Sequence, residues 1–583
     1  MRREAGPQGL VEFLTVGKTA RRMKNKLISA CLLLDNSSRQ KEIAMSIQRI
    51  TIAIGLVCAI ALLLSESSSG ALPSNALGDE SSPQARLSQS SGPNRIAHGS
   101  STHLPVEASG SRLDAQGYEF GKAQWEPDGV SVCLAAGFQG APHVTTDDAQ
   151  GVIVAWADCR PSLADCDIYA QRIDIDGSAL WQPDGVPVNS LQGDQLGPRV
   201  VGDGAGGALV AWSDYRNHTD SSVFAQRLDN AGNRLWASEG ITVATGIGHQ
   251  TVVQLIPDGV GGAFAIWQDW LGHPDMDKNL FVQRLDGEGT LLWSAPVTIT
   301  DAPHEQFNAH AALDGAGGLL VTWGDSRDPE DANIYAQRVS ADGAILWELN
   351  GVLVSADPAL QRPGSIITDG IGGAYVTWYD FRANYNRADA YMQRLTAEGL
   401  RVWAADLPVV ADSTYAEGPE VLVSDGSSGV IVISSRSTNG AVEVDILAQH
   451  VSSEGEFLWG AEPINITPWA KQQEFSVAVP DGQGGAYIAW IDKYTDSFAY
   501  DVWTQHLGAD GSKLWPGHGV QAVGADGSQE LLAIVSDSDS DNGFIVAWQD
   551  WRDSLGNPDL YVQHIVSSVG TRCFLPLVLR TAQ

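Results

Sequence analysis

Tryptophan returns along this 583-residue chain at Trp125, Trp181, Trp236, Trp293, Trp347, Trp403, Trp459 and Trp515, always 54 to 57 residues apart. A second series, Trp156, Trp212, Trp267, Trp323, Trp378, Trp490 and Trp548, falls between them, with Ser434 at the place of its sixth member. Self-similarity at that length belongs to solenoids and propellers, which stack one supersecondary unit many times. Each unit is too small to bury its own apolar face, so it must bury that face against its neighbours.

Within the unit the signals are those of strands. DGAGGALVAW (203–212), DGVGGAFAIW (258–267), DGAGGLLVTW (314–323), DGIGGAYVTW (369–378) and DGQGGAYIAW (481–490) each set a glycine-rich turn before a short apolar run. A polar loop follows, then a β-like stretch such as SVFAQRLD or DLYVQHIV, a second turn with glycine four residues before tryptophan, and a last strand such as LWQPDGVPV. Four short strands in about 56 residues, with no amphipathic helix between them, predict an all-β chain built as a β-propeller of four-stranded blades. The VAW core and the glutamine of the Gln-Arg or Gln-His pair (Gln171, Gln226, Gln283, Gln337, Gln393, Gln449, Gln505 and Gln563) each recur eight times, so eight blades are expected, with seven the alternative. The last unit lacks a clear LW strand, whereas AQWEPDGVSV stands unpaired at 123–132. A ring closed by that N-terminal strand would leave no open sheet edge. The rival closing segment is GTRCFLPLVL at 570–579.

The D-x-D-G-x-x-x-W turn from Asp174 to Trp181 resembles the Asp-box turn of sialidase-like propellers, although an Asp box has glycine three residues before its aromatic and this chain has four. The double glycine entering a strand resembles kelch repeats. Over residues 113–570 the repeat is similar to those of secreted bacterial β-propellers of unassigned function, a resemblance that implies fold and export but no particular activity.

The first fifty residues carry ten Lys or Arg against four acids, and ITIAIGLVCAIALLL (50–64) follows. Fifteen mostly apolar residues fall short of the ~20 that a spanning helix needs, and Met45 begins a well-proportioned secretory signal. The expected organisation is a misassigned extension at 1–44, a signal peptide or anchor at 45–71, a Ser/Gly/Pro-rich linker at 72–112, the propeller at 113–570 and a tail at 571–583. The protein is then secreted or held at the cell surface, and meets a membrane only through an uncleaved N-terminal segment. Of the cysteines that remain after export, Cys159 and Cys166 are the closer pair for a disulfide; Cys133 with Cys573 is the second.

A formal charge of −34 repels phosphate backbones and argues against nucleic acid as a partner. The commonest polar pattern, W-x-D-x-R, as at Trp212, Asp214 and Arg216, has its three residues on one strand face. Its repetition points to a structural fastening, because catalysis needs groups in unlike environments. His450, His506 and His564 stand where other units have arginine and are expected to be surface or loop-bonding substitutes for it. Asp537, Asp539 and Asp541 in SDSDSDNG alternate like the oxygen ligands of a calcium loop, but Asn542 and Trp548 stand where an EF-hand would have Gly and Glu. No cofactor is required by any motif, and calcium is the one metal suggested.

Residues that differ between units say more about a ligand. Tyr215, Trp270, Phe381 and Trp551 follow the aspartate of their units, and with Arg327 they form a candidate binding rim of rings and donors suited to sugars or peptides. The expected function is a monomeric binding module for an extracellular glycan or protein. The alternatives are a propeller-type glycoside hydrolase or lyase, sialidase-like but with degenerate motifs, and a structural component of an extracellular assembly.

Overall fold

The computed structural model describes residues 119–569, short stretches between strands excepted, and every regular element among the described residues is a β-strand. The expected extension, export segment and linker (1–112) and the tail 571–583 lie outside them.

One repeat shows how the sequence makes a unit. Strands Gln195–Gly202, Ala208–Asp214, Ser222–Leu228 and Ile241–Ala244 pair antiparallel in chain order. Asp203 closes the first turn by accepting the amides of Ala205 and Gly207 on one carboxylate oxygen, at 2.9 and 2.8 Å. A side chain at Gly207 would place its Cβ 2.2 Å from the Leu228 carbonyl oxygen, which explains the glycine before each apolar run. Buried Gln226 fixes the second hairpin. Its Oε1 accepts the amides of Arg227 and Trp236, both at 3.0 Å, and its Nε2 donates to the Ala237 carbonyl at 2.7 Å. A buried amide side chain is tolerated when its groups are paired, and here they are paired by the turn they hold.

Five sheets have four strands each. A further eight strands, from Ala416–Ser424 to Val520–Val523, form one sheet in which two sets of four are joined by a single parallel pair, Val444 with Gln472. The last sheet has five strands and takes two from the beginning of the chain: Val130–Cys133 and Glu119–Ala123 both pair with Asp559–Val569. Gln563 Oε1 accepts the Trp125 amide at 3.1 Å and Nε2 donates to the Glu126 carbonyl at 3.0 Å, the bonds that Gln226 makes to its own hairpin. Val130–Cys133, at the end of the segment 123–132, thus pairs in the last sheet; the rival segment 570–579 lies outside the described residues.

Apolar side chains form layers between consecutive sheets. Ile153, Ala155 and Ile168 pack with Val200, Val210 and Trp212 of the next sheet, and Trp125, Val154 and Trp156 pack with Ile545, Ala547 and Val562 of the last one. First strands of neighbouring sheets lie side by side: Gln139–Thr146 has Gln195–Gly202 on one flank and Gln529–Ser536 on the other. Polar fastenings reinforce each junction. Trp181 Nε1 and Arg172 Nη1 both donate to the Asn230 carbonyl in the turn of the following sheet, at 3.1 and 3.2 Å. Gly232 in that turn has φ 80° and leaves no room for a Cβ beside the Trp181 ring, 2.9 Å away.

Candidate functional site

The recurring polar residues are consumed by the fold. Asp214 accepts Trp212 Nε1 at 3.0 Å, the Arg216 amide at 2.9 Å, and Arg216 Nε and Nη2 at 2.8 and 2.7 Å. The guanidinium lies 3.8 Å from the centre of the Phe224 ring. Arg327 is held the same way by Asp325, over Tyr335 at 3.7 Å, and also donates to the Asn350 carbonyl at 2.7 Å. It therefore belongs to the fastening and is not brought to the other proposed rim residues.

His450, His506 and His564 bond to Asp425, Asp481 and Asp537 at 3.0, 2.9 and 3.0 Å, where Arg227 of the repeat above binds Asp203. They replace arginine, and all three are buried rather than on the surface. Asp537 thus has a structural partner, while Asp539 and Asp541 lie outside the described residues. Among the described residues no group of three or more His, Cys, Asp or Glu is arranged to hold a metal. Cys159 and Cys166 form a disulfide. Cys133 is a buried free thiol, its Sγ 3.7 Å from Asp158 Oδ2 and 3.6 Å from Arg160 Nη2, with burial pushing it up to about 12. Its expected partner, Cys573, lies outside the described residues.

The residue after the fastening aspartate is placed by the repeat yet free in identity. Its amide donates to the carbonyl just before the first strand: Tyr215 to Asp194 at 2.7 Å, Trp270 to His249 at 2.9 Å, Ser326 to Glu305 at 3.0 Å, Phe381 to Leu360 at 3.1 Å and Trp551 to Ser528 at 2.9 Å. The first strand begins beside this point, since Gln195 pairs with Asp214 in register and Gln529 with Asp550. Each of these five units therefore presents, at its Gln/Asp end, one side chain whose identity the repeat does not fix.

Two groups form at these ends. In the first, the Tyr215 and His249 rings are 5.9 Å apart, His249 meets Trp270 edge-on at 6.3 Å, and Lys278 Nζ lies 4.5 Å from the Trp270 ring centre. Lys278 is ion-paired with Glu305, and Ser221 Oγ lies 3.5 Å from His249 Nδ1. Trp270 is 37% exposed. The row joins the ends of three successive sheets.

The second group lies in later repeats. The position after the first-strand glutamine holds Gly140, Leu196, Thr251, Phe307, Arg362, then Gly418 where Glu417 replaces the glutamine, and finally Glu474 and Glu530. Burial raises the Glu474 carboxyl, opposed by the Gln472 amide and the Lys493 ammonium, and burial also raises Glu530. Tyr500 is raised by burial and then by the charges of these two glutamates. Between Glu474 and Ser476, Phe475 is 42% exposed with φ 55°, at the first-strand bulge where Ala141 and Asn308 are also left-handed. Glu420 accepts the Ser476 amide at 2.8 Å, so it clasps two adjacent first strands; burial outweighs that bond and holds its carboxyl above the ordinary range. Arg362 lies 5.7 Å from the Phe381 ring centre. Trp551 keeps its indole N–H buried without a hydrogen-bond partner among the described residues.

Of the proposed rim, the structure brings Tyr215 and Trp270 together and leaves Phe381 and Trp551 at the ends of other sheets. His249, Lys278, Glu305, Glu474, Tyr500 and Glu530 were not singled out from sequence. His249, Glu305, Glu474 and Glu530 stand at the start of a first strand and Lys278 and Tyr500 at the start of a third, so no single column of the repeat marks them.

No family model matches this sequence, and no curated protein does. Among solved structures, a protein of unknown function from Dyadobacter fermentans is 11% identical, with 77% of this chain and 98% of that one covered and a TM-score of 0.35. A polysaccharide lyase described as an ulvan lyase is 9% identical, covering 75% and 97%, with a TM-score of 0.37. An α-L-arabinanase from Penicillium chrysogenum is 13% identical, covering 53% and 90%, with a TM-score of 0.31. Likeness at this level assigns no role to any residue.

Proposed function

We propose that this chain is an exported eight-bladed β-propeller that binds an extracellular glycan on the face formed by the Gln/Asp ends of its sheets. The eightfold Gln-Arg/Gln-His series and the grouping of strands in fours support the blade count. Ring closure is supported by the N-terminal strand in the last sheet and by the apolar layer shared by Trp156 and Ile545. The apolar segment within 45–71 supports export. Nothing in the reading requires a metal, a nucleic acid or a second subunit.

The observation that carries the binding role is the placement of variation: side chains not used by the repeat fall at one end of the sheets, and they include an exposed tryptophan beside a tyrosine, a histidine and a lysine. Flat rings with polar neighbours suit sugars, whose C–H faces stack while their hydroxyls bond. The test is affinity electrophoresis of the full chain in gels carrying extracellular polysaccharides. Retardation by at least one polymer, abolished by free oligosaccharide, is expected. Migration unchanged in every gel would refute glycan binding.

A second reading, a glycoside hydrolase or lyase, draws on Glu474, Glu530 and Tyr500, because neighbouring titratable groups with raised pKa values are what acid-base work on a sugar employs. Release of reducing ends that disappears in Glu474→Gln would favour it over binding alone.

A further inference from the structure

We infer that Tyr215, His249, Trp270, Lys278 and Glu305 form a subsite for a neutral sugar residue, with Trp270 as the stacking platform and the polar groups as partners for hydroxyls. The inference rests on the glycan-binding reading and deepens it by naming the place and the ligand class.

Four observations bear on it. The row is continuous: Tyr215 to His249 at 5.9 Å, His249 to Trp270 at 6.3 Å, Lys278 to the Trp270 ring at 4.5 Å, and Lys278 ion-paired with Glu305. Its backbone is fixed, since the Tyr215 and Trp270 amides are held by the carbonyls of Asp194 and His249, and the Gln306 amide by the Lys278 carbonyl at 3.2 Å. A platform that does not move loses little freedom when a ligand settles on it. None of these side chains has a counterpart in the fastening that recurs from unit to unit, so the fold does not account for them. Finally, Trp270 exposes 37% of its surface, whereas Trp267, the repeat's own tryptophan three residues earlier, is buried.

Charge selects the class of sugar. Lys278 is already answered by Glu305, and the nearest arginine in sequence, Arg216, is bound by Asp214 and lies 3.5 Å from Glu239. No cation in the row is left to hold a carboxylate or sulfate, and the chain as a whole carries −34. An uncharged sugar meets no such penalty: its C–H face can lie on the indole, while the imidazole and the ammonium–carboxylate pair supply both donors and acceptors.

The experiment uses the full chain and named probes: arabinan, xylan and mixed-linkage β-glucan as neutral polymers, polygalacturonate as the anionic one. The wild type should bind a neutral polymer. Trp270→Ala should weaken that binding about tenfold or more, Tyr215→Ala less, and Trp270→Phe should restore most of it. Thermal melting should be unchanged, because Trp270 lies outside the packed layers. Where melting does fall, Lys278→Met removes the charge over the ring while leaving its stem, and it too should weaken binding. Wild-type binding that survives both Trp270→Ala and Tyr215→Ala overturns this subsite and leaves the glycan-binding reading standing. Failure of the wild type to bind any polymer overturns both. Preference for polygalacturonate overturns the assignment to neutral sugars.

Discussion

Replacing Asp325 by alanine tests whether the W-x-D-x-R fastening holds the repeat together. Its carboxylate is fully buried and accepts four bonds: Trp323 Nε1, the Arg327 amide and Arg327 Nε at 2.9 Å, and Arg327 Nη2 at 2.7 Å. Alanine leaves the indole N–H of fully buried Trp323 without an acceptor, a loss of about 1–3 kcal/mol. It also strands Arg327. Removing one partner of a fully buried ion pair costs about 3–5 kcal/mol, but the Arg327 side chain is 25% exposed and water replaces part of what is lost, leaving roughly 1–2 kcal/mol. The total is about 2–5 kcal/mol, a large share of the 5–15 kcal/mol typical of a folded domain. Asp325→Asn keeps an acceptor for the indole and should cost about half as much. Urea unfolding of both variants gives the comparison, with Asp286→Ala as a control, since the carboxylate of that half-buried turn aspartate accepts the Glu288 and Thr290 amides and holds no arginine among the described residues. A loss below about 1 kcal/mol for Asp325→Ala, or a control that costs as much, would refute the assignment of stability to this fastening.

Three further outcomes are expected. Burial pushes the His310 imidazole down to about 4 from 6.5, so the unfolded chain binds the proton more tightly; stability should be full above about 6.5 and fall as pH drops toward 4, and His310→Gln should flatten that part of a melting-temperature profile. A Cβ at Gly418 would stand 1.9 Å from Tyr379 Cε1, so Gly418→Ala should destabilise by about 1–3 kcal/mol, and adding Tyr379→Ala should recover part of the loss in a double-mutant cycle. Opening the Cys159–Cys166 disulfide, with a sequence separation of 7, frees a short loop, and Cys159→Ala with Cys166→Ala should lower stability by up to about 2.5 kcal/mol in chemical denaturation.

Most of the fold was legible in the sequence because each repeated residue meets a local or nearest-neighbour demand. Gly207 is read from its turn, Gln226 from the hairpin it pins, and Trp125 from the missing fourth strand of the last unit. The candidate site was half legible. Tyr215 and Trp270 stood out because they vary at a position the repeat fixes. His249 precedes its strand without any motif, and Lys278 and Glu305 lie in different repeats, so neither the row nor its ion pair has a sequence signature. Arg327 shows the opposite case: its carboxylate, carbonyl and ring partners lie in its own repeat, and only the structure brings them to the charge.

The sequence by itself determined the unit, its strands, its turns and the need of one unit to pack on the next, since those depend on residues a few positions apart or one period apart. Only the tertiary structure decided which of the non-repeated residues meet. Glu474 and Tyr500 are separated by a strand and a turn, and Glu530 belongs to the next sheet, yet the two carboxylates act on the same phenol. The physical reason is that first strands of adjacent sheets run side by side, so proximity at their ends depends on how whole sheets pack together, a relation that no short stretch of chain encodes.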